Sequence, residues 1–222
     1  MSSSSLAGAL VRRARPFARR FRRALLVRRI QVLAAAAGAT VQVEVATDAL
    51  VGRDVRVEVG PGSSRLRIGS ATAIGDGVVL QLRGGSIEVG PWSDLRRGVV
   101  LNVSGALVVG ERTVLGAGTT VHCAHQVTIG DRVGIGEYTT LVDTSHRHTA
   151  PDRPIVYDTV AGSVVVGDDV FIGTKSTLTR DCRLGDFAVV GAGSTVIGQV
   201  AAKTFVSGVP AREVATVDLP WE

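Results

Sequence analysis

Aliphatic residues recur along this chain at intervals of six. Val166, Ile172, Leu178, Leu184, Val190 and Val196 keep that spacing without a slip, and Gly167, Gly173, Gly185 and Gly191 each follow one of them. Val109, Leu115 and Val121 hold the same interval, as do Ile129, Ile135 and Leu141. A longer period lies over the short one, because Val89-Gly90, Val109-Gly110 and Ile129-Gly130 are spaced by twenty. An interval of six does not fit the helical period of about 3.6, so no amphipathic helix can hold these residues on one face. It is a multiple of two, so a short strand and a corner can repeat it. Three such units close a triangular coil of about eighteen residues whose aliphatic side chains stack inward. Two extra residues per coil, as in 106–125 and 126–145, fit at one corner. Glycine beside the aliphatic residue suits a tight corner with unusual backbone angles.

A flat sandwich would need hairpin turns of the Asn-Gly or Asp-Gly kind at irregular spacing. The chain has one, Asp76-Gly77, and it lies inside a hexad. The pattern therefore predicts an all-β parallel solenoid over 39–205, with weaker register before Ile68 and around Gln81–Ser86. The hexads stop after His146 and resume near Val164, which leaves a projecting loop over 147–163. Loops of that size on a solenoid are usually functional. Residues 206–222 form a closing tail.

Residues 1–38 follow a different pattern. Leu10, Ala14, Phe17, Phe21 and Leu25 lie three or four apart and would share one helical face, with Pro16 in the first turn of the main helix. Nine arginines lie between Arg12 and Arg29, and no acid occurs before Glu44. Of 25 basic residues, 16 remain outside that stretch against 20 acids, so the rest of the chain carries about −4 although the whole carries +5. A nucleic-acid partner is thus not supported by the overall charge. The helix either caps the first coil or lies on an anionic membrane surface, and the two are compatible if the arginines face outward.

Composition adds little beyond this. Aromatic residues make up 4% of the chain against 27 glycines, which suits thin stacked layers better than a bulky core. Cys123 and Cys182 stand in no metal-binding spacing and imply no disulfide framework, in keeping with a cytoplasmic protein. No apolar run reaches membrane-spanning length, and Ile30–Ala39 is a short apolar segment behind an unusually long basic stretch, a poor secretory signal.

All four histidines, His122, His125, His146 and His148, fall within 27 residues of one another, in one coil and the loop after it. Zinc is one chemistry for such a cluster, but the spacing is irregular and no metal is expected. The other is proton transfer by a neutral imidazole. Cys123 is a conceivable nucleophile without any sign of activation. The twenty-residue period places His122 and His125 under Val142 and Ser145, with His125 almost beneath His146.

The repeated [Ile/Val/Leu]-Gly-x-x-[small]-x unit resembles the hexapeptide-repeat acyltransferases across roughly 51–205. The resemblance implies a left-handed coil and a homotrimer with the cofactor groove between subunits. The γ-class carbonic anhydrases share this fold, but their His-x4-His pair is missing here. Leu141-Val-Asp-Thr-Ser-His146 resembles the segment before the loop in galactoside, maltose and polysaccharide O-acetyltransferases, which implies that His146 is the general base. By position, Asp143 either orients that imidazole or forms the turn at the corner, and His122 and His125, one coil earlier, either line the acceptor pocket or serve the fold alone. Val170-Phe-Ile-Gly-Thr174, Gly191-Ala-Gly-Ser194 and Gly208-Val-Pro-Ala-Arg212 resemble the coenzyme A groove, which implies acyl-CoA contacts from Phe171, Thr174, Ala192 and Arg212. Where the family often has Thr-Lys, this chain has Ile197-Gly198, and the family's Asn one coil before the histidine has no counterpart around Gly116–Gly118. The expected activity is CoA-dependent O-acyl transfer, most simply acetyl transfer, to a hydroxyl of a sugar, glycan or glycolipid. A non-catalytic β-helix scaffold is the alternative.

Overall fold

The computed structural model describes residues 22–147, 154–155 and 158–218. From Thr40 onward the chain winds into a three-sided parallel solenoid whose faces are sheets of eight, nine and seven strands. One coil illustrates the unit: Ala106–Val109 lies in the first sheet, Val114–Leu115 in the second and Thr120–Cys123 in the third. The next coil repeats it in register, with Val109 opposite Ile129, Leu115 opposite Ile135 and Val121 opposite Leu141. The twenty-residue period is thus the coil itself. Buried Leu107, Val109, Leu115, Val121 and Cys123 all point into the prism and continue a single apolar core from coil to coil.

Coil length varies at the corner between the third and first sheets, here the third corner. Early coils are longer, with Val57 opposite Leu80 and Leu80 opposite Leu101. Late coils are shorter, with Val166 opposite Leu184 and Leu184 opposite Val200. The weak early register follows from this variation rather than from a break in the solenoid.

The glycines after the aliphatic residues are explained differently from expectation. A Cβ on Gly173 would sit 2.4 Å from the Ala192 nitrogen, and one on Gly136 would sit 2.5 Å from that of Thr174. These glycines allow adjacent coils to approach. Positive φ falls two residues later and is mostly borne by other residues, among them Tyr138, Lys175 and Phe187. Each is held by a bond between coils, as when Lys175 N–H donates to the Glu137 carbonyl at 2.8 Å.

A helix over 22–36 closes the N-terminal end. Leu26, Ile30 and Ala34, four residues apart, are buried with the core, and Leu33 packs against it. The covered stripe lies one residue beyond the expected one, so Leu25 is 49% exposed. Leu10, Ala14, Phe17 and Phe21 lie outside the described residues. Two arginines of the basic stretch also face the solenoid: Arg23 donates to the Val45 carbonyl at 3.0 Å and Arg29 to that of Val55 at 3.3 Å. At the other end Thr204–Gly208 joins the second sheet, and Ala211–Thr216 runs antiparallel beside it. The tail therefore begins as a strand of the solenoid. No helix among the described residues is long and apolar enough to cross a membrane.

Candidate functional site

The chain leaves the solenoid at the third corner, just after the coil that carries His122 and His125. Thr140–Val142 still pairs with the coil below, with His122 opposite Val142. Asp143 comes next and takes the inward position that Val103 and Cys123 hold in the coils beneath. It is fully buried, and its carboxylate accepts the backbone N–H groups of Ala124, His125 and Gln126 at 2.9, 2.7 and 2.9 Å. These bonds go to the corner below, not to an imidazole. The carboxylate fixes the turn from which the arm departs.

Thr144–His146 then pairs antiparallel with Thr159–Ala161, His146 opposite Thr159. The excursion is a short ribbon that begins three residues earlier than the loop expected over 147–163. Its base is tied by Arg147 N–H donating to the Asp158 carbonyl at 2.8 Å, with the Arg147 guanidinium 3.9 Å from the Asp158 carboxylate. His146 is exposed, and its Nδ1 lies 2.9 Å from the Ile155 carbonyl. A carbonyl can only accept, so Nδ1 carries the proton and Nε2 presents a lone pair. His148 lies outside the described residues.

The ribbon also changes the stacking of His125. The first sheet resumes with Gln126 opposite Ser163, and Gly162 N–H donates to the Asp143 carbonyl at 2.7 Å. Gly162, not His146, therefore follows His125 in the stack. His125 is exposed and instead lines one end of a cleft of about 570 Å³ that runs down the third corner past Ser104, Gly105, Gly85 and Ser63. His122 is exposed on the third sheet, its Nδ1 3.3 Å from the Asn102 side-chain nitrogen. Asn102 went unnoticed in the sequence, although it stands twenty residues before His122 and directly opposite it.

The four residues matched to a coenzyme A groove lie elsewhere, on the second sheet and the corner after it. Phe171 is 55% exposed, and its ring covers Gly134, where a Cβ would be 3.2 Å away. Thr174 and Ala192 are exposed neighbours on successive coils, tied by Gly193 N–H donating to the Thr174 carbonyl at 2.8 Å. Arg212 lies on the final antiparallel strand opposite Ser207, exposed, donating to the Ala211 carbonyl. Within one chain the third-sheet strand Thr177–Leu178 separates the Thr174 corner from the histidine corner.

Cys123 and Cys182 are buried, and desolvation pushes both thiols up to about 12, with the Asp143 carboxylate adding to the rise at Cys123. Among the described residues no three His, Cys, Asp or Glu side chains come together as a metal site.

Residues 163–198 match the family model "Bacterial transferase hexapeptide (six repeats)". That stretch carries the hexapeptide repeat on the β-helix fold described above. It is 25% identical over 173 residues to "Probable acetyltransferase Rv3034c" of Mycobacterium tuberculosis, covering 78% of this chain and 51% of that protein. It is 30% identical to "Bifunctional protein GlmU" of Pseudoalteromonas atlantica, over 69% of this chain and 37% of that one. The chain thus spans about half, or less, of the length of these relatives. Among solved structures, AntD, an N-acyltransferase from Bacillus cereus in complex with dTDP and 3-hydroxybutyryl-CoA, shares the fold with a TM-score of 0.54. That match covers 81% of this hexapeptide-repeat chain and 83% of AntD at 16% identity.

Proposed function

We propose that this protein is a CoA-dependent O-acyltransferase that moves an acyl group, most simply acetyl, to a hydroxyl of a sugar, glycan or glycolipid. The observation that carries the reading is the bond from His146 Nδ1 to the Ile155 carbonyl, which leaves Nε2 free as a base on an exposed arm. A sugar hydroxyl is a weak nucleophile at neutral pH. Nε2 takes its proton as the oxygen attacks the thioester carbonyl, and the tetrahedral intermediate then expels the CoA thiolate. The imidazolium returns the proton to that leaving group.

Phe171, Thr174, Ala192 and Arg212 are the residues assigned to acyl-CoA, with Arg212 suited to a phosphate. Because they stand across the third sheet from His146, the site is completed between copies in a homotrimer, His146 from one chain and the groove from its neighbour. The cleft that ends at His125 lies on the acceptor side. The protein acts in the cytoplasm, and the arginines not spent on carbonyls hold it near anionic lipid.

AntD is an N-acyltransferase, which makes an amino sugar the second acceptor class. The test is acceptor-dependent release of CoA from acetyl-CoA across a panel of hydroxyl and amino sugars, with the product treated with hydroxylamine. A labile ester supports the reading, a stable amide shifts it to nitrogen, and no acceptor-dependent release refutes it.

A further inference from the structure

The two exposed histidines whose ring contacts are defined are held in opposite ways, and the difference assigns them different work. At His146 the partner of Nδ1 is a carbonyl oxygen, which fixes the proton on Nδ1. At His122 the partner of Nδ1 is the side-chain nitrogen of Asn102, 3.3 Å away. An amide nitrogen can only donate, so Nδ1 of His122 accepts and its proton sits on Nε2. The register makes this pairing a property of the solenoid. Gln81, Asn102, His122 and Val142 face one another on successive coils of the third sheet. The Gln81 amide is turned away, donating to Glu58 at 2.7 Å, and Val142 offers the ring no polar partner. Asn102 is therefore the residue that sets the His122 ring, and Nε2 of His122 has no protein partner among the described residues.

We infer that His122 is a fixed hydrogen-bond donor to the acceptor, presenting Nε2–H beside the arm that carries the His146 lone pair, with Asn102 as its positioning residue. The inference rests on the acyl-transfer reading of the site and divides its labour. One imidazole receives the hydroxyl proton, and the other, one coil earlier on the third sheet, holds an acceptor oxygen in place. A second base in that position would need its own lone pair outward, which the Asn102 contact denies it. A sugar hydroxyl or ring oxygen is the kind of group this donor suits.

Long-range 1H–15N correlation spectra of the full chain with 15N-labelled histidine test the assignment without turnover. We expect His122 as the Nε2–H tautomer and His146 as the Nδ1–H tautomer. Asn102→Asp, which offers an acceptor in place of a donor, inverts His122 and leaves His146 unchanged. Kinetically, His122→Ala raises the acceptor KM about tenfold, the size of one lost hydrogen bond, with the acetyl-CoA KM unchanged. His122→Gln, whose amide can donate, recovers most of that loss. A Nδ1–H or mixed tautomer at His122 in the unaltered protein overturns the proposal whether or not transfer occurs. So does a His122 Nε2 signal that responds to no sugar of the acceptor panel, or equal KM values for the Ala and Gln variants. Absent transfer with a responding Nε2 signal would count against the transferase reading and leave His122 as an acceptor contact.

Discussion

Replacing Asp143 tests most sharply how the arm is anchored. The carboxylate is fully buried and accepts three backbone N–H groups, from Ala124, His125 and Gln126. Hydrogen bonds to a charged group contribute about 1.5–3 kcal/mol each, though not additively. Asp143→Asn keeps the shape but turns one oxygen into an NH2 that meets a donor. That substitution should cost about 3 kcal/mol, and Asp143→Ala, which strands all three donors, about 4–5 kcal/mol. At this chain length the Asn variant should melt about 10 °C lower. Scanning calorimetry gives the melting shift, and hydrogen exchange of the three amides locates it, because those protons should lose protection before the rest of the core. An Asn variant within about 0.5 kcal/mol of the parent, with unchanged exchange at the three amides, would refute the anchoring role.

Three further outcomes follow from the same geometry. Arg212→Ala should weaken CoA more than dephospho-CoA in a calorimetric titration, and equal losses would remove Arg212 from the phosphate. Native protein should resist iodoacetamide at neutral pH, since both thiols stay protonated until about 12, and should react at both cysteines once unfolded; mass spectrometry reads either result. Deleting residues 1–29 should lower the melting temperature, because Leu26 and the Arg23 and Arg29 contacts cover the first coil. The same deletion should abolish salt-sensitive flotation with anionic vesicles, and an intact chain that ignores vesicles would leave the helix as a cap alone.

The solenoid was legible because its core repeats by stacking like on like. Val109 opposite Ile129 and Leu115 opposite Ile135 are spaced in sequence as they are in space. What the period could not give was chemistry decided by direction. Asp143 reads as a corner residue in a line of sequence, yet the twenty-residue step puts it in the inward column after Val103 and Cys123, where only its three backbone donors make burial tolerable. The glycines were placed correctly and explained wrongly, since coil-to-coil approach is invisible until two coils are superposed. The stack of His125 under His146 failed because the antiparallel ribbon interrupts the period at Thr144. Asn102 was missed for the opposite reason, because the family's Asn is expected one coil before His146 while this bond lies one coil before His122. The helix kept its amphipathic pattern, but a one-residue rotation moved Leu25 outward.

The measurement closest to the central claim is the single-turnover rate of acetyl transfer from acetyl-CoA to a sugar hydroxyl, compared between the parent protein and His146→Ala. The side chain is exposed, so the variant should keep the parent's melting temperature and oligomeric state. Its rate should fall by about 10²-fold or more, as expected when a general base is removed. A variant that folds normally and transfers acetyl at the parent's rate would contradict the account.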